Sequence, residues 1–510
     1  MREYSVAGMR GLDCAAIQEY GIPGIELMTR AGKEVYAALL RFSRELRNCE
    51  YVVLAGKGNN GGDAFIVARE LFLHKYPVRL FVVCDPALIS GDARLAFEQL
   101  PAGLVVEDDD DFSCYTFTER SIVIDGLLGT GFSGGEIREP LAGWIRAVNR
   151  ANVPVVAIDI PSGLSGDDGT ADLAIRADLT VTFAGVKRGM LRGRGPEVCG
   201  RIEVADIGIP EVELEAAGTG LEVFTRLDAR KFLQREQSDT YKNRRGHYGI
   251  IGGSRLYHGA PFLSAEGAMR AGAGLATVIV PEKMEIFGAI PQALIVRRVA
   301  DAGSGFFCRE SIPEVLDLIR KIDVLTFGPG VTTHTEVFSL LAALTEWEKP
   351  LVFDADALTL LAEHPEVFES RKSSWILTPH PGEMVRLQNA FGLNRNRSRV
   401  LQAQDLARAS GCIVVLKGAR TVTASPDNRV IVNLSGCPAL ATAGSGDVLT
   451  GVIGACIANS QQDIFEAVAL GVFLHGYAGE ILRPMGSRGV VGDDLPSAVA
   501  RAIHEISPLA

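Results

Sequence analysis

A chain of 510 residues has room for two to four domains of roughly 150 residues each. Its 47% hydrophobic and 22% charged content implies sizeable buried cores and excludes an intrinsically disordered protein. The 51 Lys and Arg against 62 Asp and Glu leave a formal charge of −11, which excludes general attraction to nucleic acid or to an anionic membrane. Any bound phosphate has to be held by local backbone amides and a few chosen cations.

The opening stretch MREYSVAGMRGLDCAAIQ lacks the apolar region of a signal peptide. No apolar run in the chain reaches about 18 residues, so cytoplasmic residence without membrane contact is expected. The nine cysteines are scattered, with no CxxC, and read as reduced thiols. Short β-branched runs then alternate with helical stretches: YVVLA (51–55), VRLFVV (78–83), SIVIDG (121–126), VPVVAID (153–159) and LTVTFA (179–184). Near-continuous apolar strands separated by helices predict a parallel, doubly wound sheet. The acidic run Glu107 to Asp111 reads as a solvated loop, and the acidic, Gly/Ala-containing stretch Ile209 to Val223 reads as a linker. Beyond it the rhythm restarts with YGIIGGS (248–254), ATVIVP (276–281), VLTFGPG (324–330), LVFDADA (351–357), WILTPH (375–380) and IVVLKGA (413–419). The expected architecture is therefore α/β in two domains, the first to about residue 215 and the second from about 225.

Three loops of the first half each follow a predicted strand. In GKGNNGGD (56–63), Gly56, Gly58 and Gly61 have the G-x-G-x-x-G spacing of a dinucleotide-binding turn. The others are GLLGTGFSGG after Asp125 and AIDIPSGLSGDDG (157–169) with Asp159 at a strand end. Ligands of open parallel sheets gather at such strand ends, and glycine loops expose N–H groups to a diphosphate. Asn60, Asp125 and Ser162 offer oxygen ligands that suit a hard cation. Asp159 is a candidate acid or base and Lys187 its cationic partner, while a turn- or helix-capping role is the competing reading of Asp125 and Asp159.

With GIPGIELMTRAG (21–32), GNNGGD and IDIPSG, residues 1–215 resemble the YjeF N-terminal family of NAD(P)H-hydrate epimerases. The resemblance implies a Rossmann-like domain in which Asn59, Asn60, Gly61, Gly62, Asp63, the loop Gly129, Thr130, Gly131, Phe132, Ser133, Gly134, Gly135, and Asp159 hold the hydrate. It implies K+ on Asn60, Asp125 and Ser162. Whether Asp159 or Lys187 moves the proton stays open.

In the second half, AGSGD (443–447) opens an apolar helical run, so glycines free the first N–H groups of a helix toward an anion. Asp447 stands where it could take the proton of a hydroxyl about to be phosphorylated, with an N-cap role as the plainer alternative. Lys417 and Thr421 in LKGARTV follow a strand and suit an adenylate phosphate, and His380 sits between two prolines in TPHPGE. There is no G-x-x-x-x-G-K-[ST] loop, which excludes a Walker-type site.

The run KNRRGHYGIIGGSRLYHGAPFLSAEGAMRAGAGL (242–275) with FGPG, DADAL, TPHPGE, KGART and AGSGD resembles the ribokinase-like superfamily, and within it the YjeF C-terminal family of ADP-dependent NAD(P)H-hydrate dehydratases. That resemblance implies a ribokinase-like α/β domain over 225–510. Ala260, Gly330, His380 and Asp447 would contact the hydrate, and Lys417, Gly418, Ala419, Arg420, Thr421 and Gly446 the adenine nucleotide, with Mg2+ accompanying ADP. The implied partners are the small molecules NADHX, NADPHX and ADP, with a homo-oligomer expected and no nucleic acid. A vitamin-precursor kinase on the same core is the competing function, and it leaves the first domain without a role.

Overall fold

The computed structural model describes residues 1–43, 49–107, 115–233, 237–460, 463–483 and 488–508. The chain divides into two compact units, Met1–Val223 and Phe224–Ala510. Glu107 ends a short strand, while the rest of the acidic run 107–111 lies outside the described residues.

The first unit is built on seven parallel strands in the order Val106–Glu107, Val78–Val82, Glu50–Ala55, Ser121–Gly126, Val155–Ile158, Leu179–Phe183 and Arg201–Ala205. Ser121–Gly126 is buried along its whole length, as a strand covered on both faces must be. One face packs on helices Gly24–Ser43 and Asn59–Leu73 through Val35, Leu39, Phe65 and Ile66. The other packs on helix Leu141–Ala151, where Trp144 meets Phe81 at 4.9 Å between ring centres. From Glu50–Ala55 the chain first winds to one side, then crosses to Ser121–Gly126 on the other. A crevice at the carboxyl ends of those two strands is where an open α/β sheet receives its ligand.

The stretch 209–223 is not a bare linker. It forms helix Glu211–Ala217 and most of strand Thr219–Phe224, which runs antiparallel to Arg2–Tyr4. Tyr4 Oη donates to the Leu214 carbonyl at 2.9 Å. The high acidic content hid an element held by a few apolar contacts.

The second unit carries parallel strands in the order Ile295–Val299, Leu275–Pro281, His247–Ile251, Val324–Phe327, Leu351–Phe353, Trp375–Leu377 and Ile413–Leu416, extended by antiparallel Val422–Ala424 and Val430–Asn433. Helices Ala260–Arg270, Ser445–Asn459, Ile464–Leu482 and Leu495–Ile506 share one core with Tyr248, Val278 and Val324. Ile464–Leu482 is long and apolar enough to cross a membrane, but most of it is buried inside this core. Several strands end before the quoted apolar runs do, as where Gly252, Gly328 and Asp354 begin loops after Ile251, Phe327 and Phe353.

Candidate active sites

In the first unit the strand Glu50–Ala55 passes within four residues into helix Asn59–Leu73, so Asn59, Asn60, Gly61, Gly62 and Asp63 make its first turns. The N-cap is Gly58, and no side chain caps the helix, which leaves its first N–H groups for a ligand. The turn is so tight that a Cβ on Gly61 would lie 1.8 Å from the Gly56 carbonyl oxygen. Only glycine fits.

Asn60 is 7% exposed; its Nδ2 donates to the Leu128 carbonyl at 3.0 Å, while its buried Oδ1 has no partner. Ser162 Oγ donates to Asp125 Oδ1 at 2.5 Å and lies 3.1 Å from the same Leu128 carbonyl. The Ser162 and Leu127 N–H groups donate to Asp125 at 2.8 and 3.3 Å. Burial nonetheless lifts this carboxyl to about 6. The three residues expected to share a cation thus converge, and an orphaned amide oxygen beside a buried carboxylate is a donor set for a hard ion. The loop Gly129, Thr130, Gly131, Phe132, Ser133, Gly134 and Gly135 starts against Asn60, where a Cβ on Gly129 would meet Asn60 Cβ at 3.1 Å. Arg10 of helix Val6–Gln18 donates to the Thr130 carbonyl at 3.4 Å.

Asp159 directly follows strand Val155–Ile158 with φ at +62°, a left-handed turn that Asp tolerates better than most side chains. It is ion-paired with Lys187, which is 1% exposed. Lys187 Nζ also donates to Thr182 Oγ1 at 2.8 Å and to the Phe183 carbonyl at 3.3 Å, and the Phe183 N–H donates to Asp159 at 3.2 Å. Asp63 is 8% exposed. Burial, then the Asp159 and Asp13 charges, hold it well above the carboxylate range. Asp13, beside Asp159 and Lys187, is pushed to about 6 by desolvation first and then by the Asp159 charge. Asp13 and Thr182 carry no motif in the sequence; the fold alone brings them here.

In the second unit the corresponding loops meet around one lysine. Lys417 Nζ lies 2.6 Å from Asp354 Oδ1 and 3.9 Å from Glu383 Oε2. A Cβ on Gly446 would be 3.5 Å from both Asp354 Oδ2 and Lys417 Nζ, which puts AGSGD against this pair. Gly444, with φ at +85°, caps helix Ser445–Asn459, so Asp447 stands in the first turn and is not the cap. Its carboxyl is raised to about 7 by burial and Asp354, against the opposing pull of Lys417. Burial and Asp354 likewise push Glu383 to about 7.

His380 caps helix Pro381–Ala390: its Nδ1 accepts the Gly382 N–H at 2.9 Å and the Glu383 N–H at 3.3 Å. Glu383 reciprocates, accepting the His380 N–H at 2.7 Å. Ala260 opens helix Ala260–Arg270, and Gly330 turns with φ at +74° against Tyr257. Gly418 and Ala419 are exposed, and Thr421 Oγ1 turns back to the Gly418 carbonyl at 3.0 Å. Arg420 is buried, its guanidinium donating to the Leu434 carbonyl at 2.5 Å. Asp354, from the DADAL motif, and Glu383, from TPHPGE, were in quoted motifs but not among the expected site residues.

Residues 248–500 match the family profile described as NAD(P)H-hydrate dehydratase, and residues 24–189 the one described as YjeF-related protein N-terminus. A bifunctional NAD(P)H-hydrate repair enzyme of Moorella thermoacetica is 37% identical over 96% of this chain and 94% of its own. One of Thermofilum pendens is 35% identical over 99% and 97%. A solved ADP/ATP-dependent NAD(P)H-hydrate dehydratase from Bacillus subtilis, crystallised with ATP and Mg2+, aligns over 57% of this chain and 100% of its own, with 26% identity and a TM-score of 0.48.

Proposed function

This chain belongs to the family of bifunctional NAD(P)H-hydrate repair enzymes, and we propose from that premise which of its side chains carry each step. The first unit interconverts the R and S hydrates and the second dehydrates the S form to NAD(P)H at the expense of ADP. In the first unit Asp159, ion-paired with Lys187, acts as base, and Asp63, whose carboxyl is raised well above the ordinary range by burial, acts as acid. The dinucleotide's diphosphate lies on the N–H groups of Asn59 to Asp63 and the Gly129–Gly135 loop. K+ on Asn60, Asp125 and Ser162 would tie the Asn59–Asp63 turn to the end of strand Ser121–Gly126 and to the IDIPSG loop by charge.

In the second unit the ring hydroxyl is a poor leaving group until it is phosphorylated. Asp447 accepts its proton as the ADP phosphoryl arrives, with the AGSGD amides around the transferring group. The C–O bond then breaks with the ring nitrogen's electrons, and loss of a proton from the adjacent ring carbon to solvent restores the ring double bond, giving NAD(P)H, phosphate and AMP. Mg2+ would neutralise phosphate charge beside Asp354, Glu383 and Asp447, whose oxygens suit it. The observation that carries this reading is Asp447 in the first turn of a glycine-opened helix, beside the Lys417–Asp354 pair. The assay is incubation of both hydrate epimers with ADP and Mg2+, following reduced-nicotinamide absorbance. Recovery stopping near half of an epimer mixture would remove epimerisation from the first unit. Accumulation of a phosphorylated product would indicate a kinase instead.

A further inference from the structure

Three cations lie at the loop 416–421, and two of them are already engaged. Lys417 is ion-paired with Asp354 and faces Glu383 and Asp447, and Arg420 reaches inward to the Leu434 carbonyl. The third is Arg399, the first residue of helix Arg399–Ser410. Its Nη2 donates to the carbonyls of Leu416 and Lys417 at 3.0 and 3.1 Å. Its Nη1 lies so close to the loop that a Cβ on Gly418 would be 2.4 Å from it.

No carboxylate pairs with Arg399 among the described residues, and its buried Nε has no acceptor. Burial without a counter-charge pulls the guanidinium below its ordinary range. The placement is unfavourable twice over, since a half-buried cation lacks an anion and also stands at the positive end of a helix. Two neutral carbonyls do not offset a full charge, so an anion is missing from this corner.

We propose that Arg399 is a nucleotide-binding residue whose missing counter-ion is a phosphate of the adenine nucleotide, with Nη1 beside Gly418 as the donor. This rests on the reading that 417–421 holds that nucleotide. It also reassigns the work given to Lys417, whose charge is committed to carboxylates, and makes Gly418 necessary for the guanidinium's approach.

The experiment is calorimetric titration of the full chain and of Arg399→Gln with ADP and with adenosine, alongside hydrogen exchange of the loop. Arg399→Gln is expected to weaken ADP about 10- to 100-fold, the scale of one charged hydrogen-bond partner, while changing adenosine less than about threefold. Arg399→Lys, which keeps the charge but loses the fork, should recover part of the ADP loss and keep the ADP–adenosine contrast should the Gln variant not fold. Equal weakening of both ligands would mean that Arg399 only staples the loop, and no weakening would overturn the proposal as well. ADP binding to the unaltered chain without protection of the 416–421 amides would remove the nucleotide from this loop and the proposal with it. The loop reading and the arginine's role are thereby tested separately.

Discussion

Asp447 shows how one carboxylate is tuned by what surrounds it. A base must be ionised, and with its carboxyl near 7 the fraction ready to accept a proton rises as pH climbs through neutrality. The dehydration rate is therefore expected to fall roughly tenfold per unit below about 7 and to level off above it, measured as kcat/KM, which reports ionisation of the unliganded enzyme. Asp447→Asn should abolish dehydration, with loss of at least about 100-fold, and leave epimer exchange intact. In the first unit Asn60→Ala removes the orphaned amide oxygen. It should abolish any stimulation of epimer exchange by K+, read from rates in K+ against larger organic cations. Asp159, Asp125 and Asp447 were legible in the sequence because each stands beside glycines at a strand or helix boundary. Asp13 was not, since nothing in LDCAAIQ marks a carboxylate that the fold points into a cleft.

At the scale of elements, the position of AGSGD depends on how closely its helix lies on a neighbour. A Cβ on Gly451 would fall 1.8 Å from the Ser264 carbonyl of helix Ala260–Arg270. Gly451→Ala must separate the two helices, and it is expected to cost about 1–3 kcal/mol in denaturant unfolding and to lower dehydration by displacing Asp447. The alternation of strands and helices was readable because buried parallel strands are unbroken apolar runs, as in SIVIDG. Strands with polar or short sequences escaped, among them Ile295–Val299, whose Arg297 and Arg298 are exposed at the sheet edge. Arg399 escaped for another reason. In NRNRSR it is one arginine among several, and only the fold brings that helix start beneath a loop 17 residues later in sequence.

For the molecule as a whole, one chain carries two chemistries in two compact units. Asp159→Asn should slow epimer exchange at least about 100-fold while S-hydrate is still consumed, the complement of Asp447→Asn; loss of both activities in either variant would argue against separate sites. Stability has its own pH dependence. His475, buried in the second unit with Nε2 3.2 Å from Ser445 Oγ, is held neutral, its ring lowered to about 4 by burial. As pH falls, the unfolded chain takes this proton before the native one does. The stability contributed by the neutral ring is complete above 6.5 and lost between there and about 4, up to roughly 3 kcal/mol. Guanidinium unfolding at pH 7 and pH 5 should show the decline, and His475→Gln should reduce it.

One lysine among Asp354, Glu383 and Asp447 has a thermodynamic corollary. With two of those carboxyls near 7, the empty pocket at neutral pH is a partly filled proton reservoir. A metal–nucleotide complex arriving there draws both carboxyls toward ionisation, and the reservoir empties into solvent. The heat of ADP–Mg2+ binding should then depend on the buffer's ionisation enthalpy, with a positive count of protons released that shrinks toward pH 8.5 and vanishes for adenosine alone.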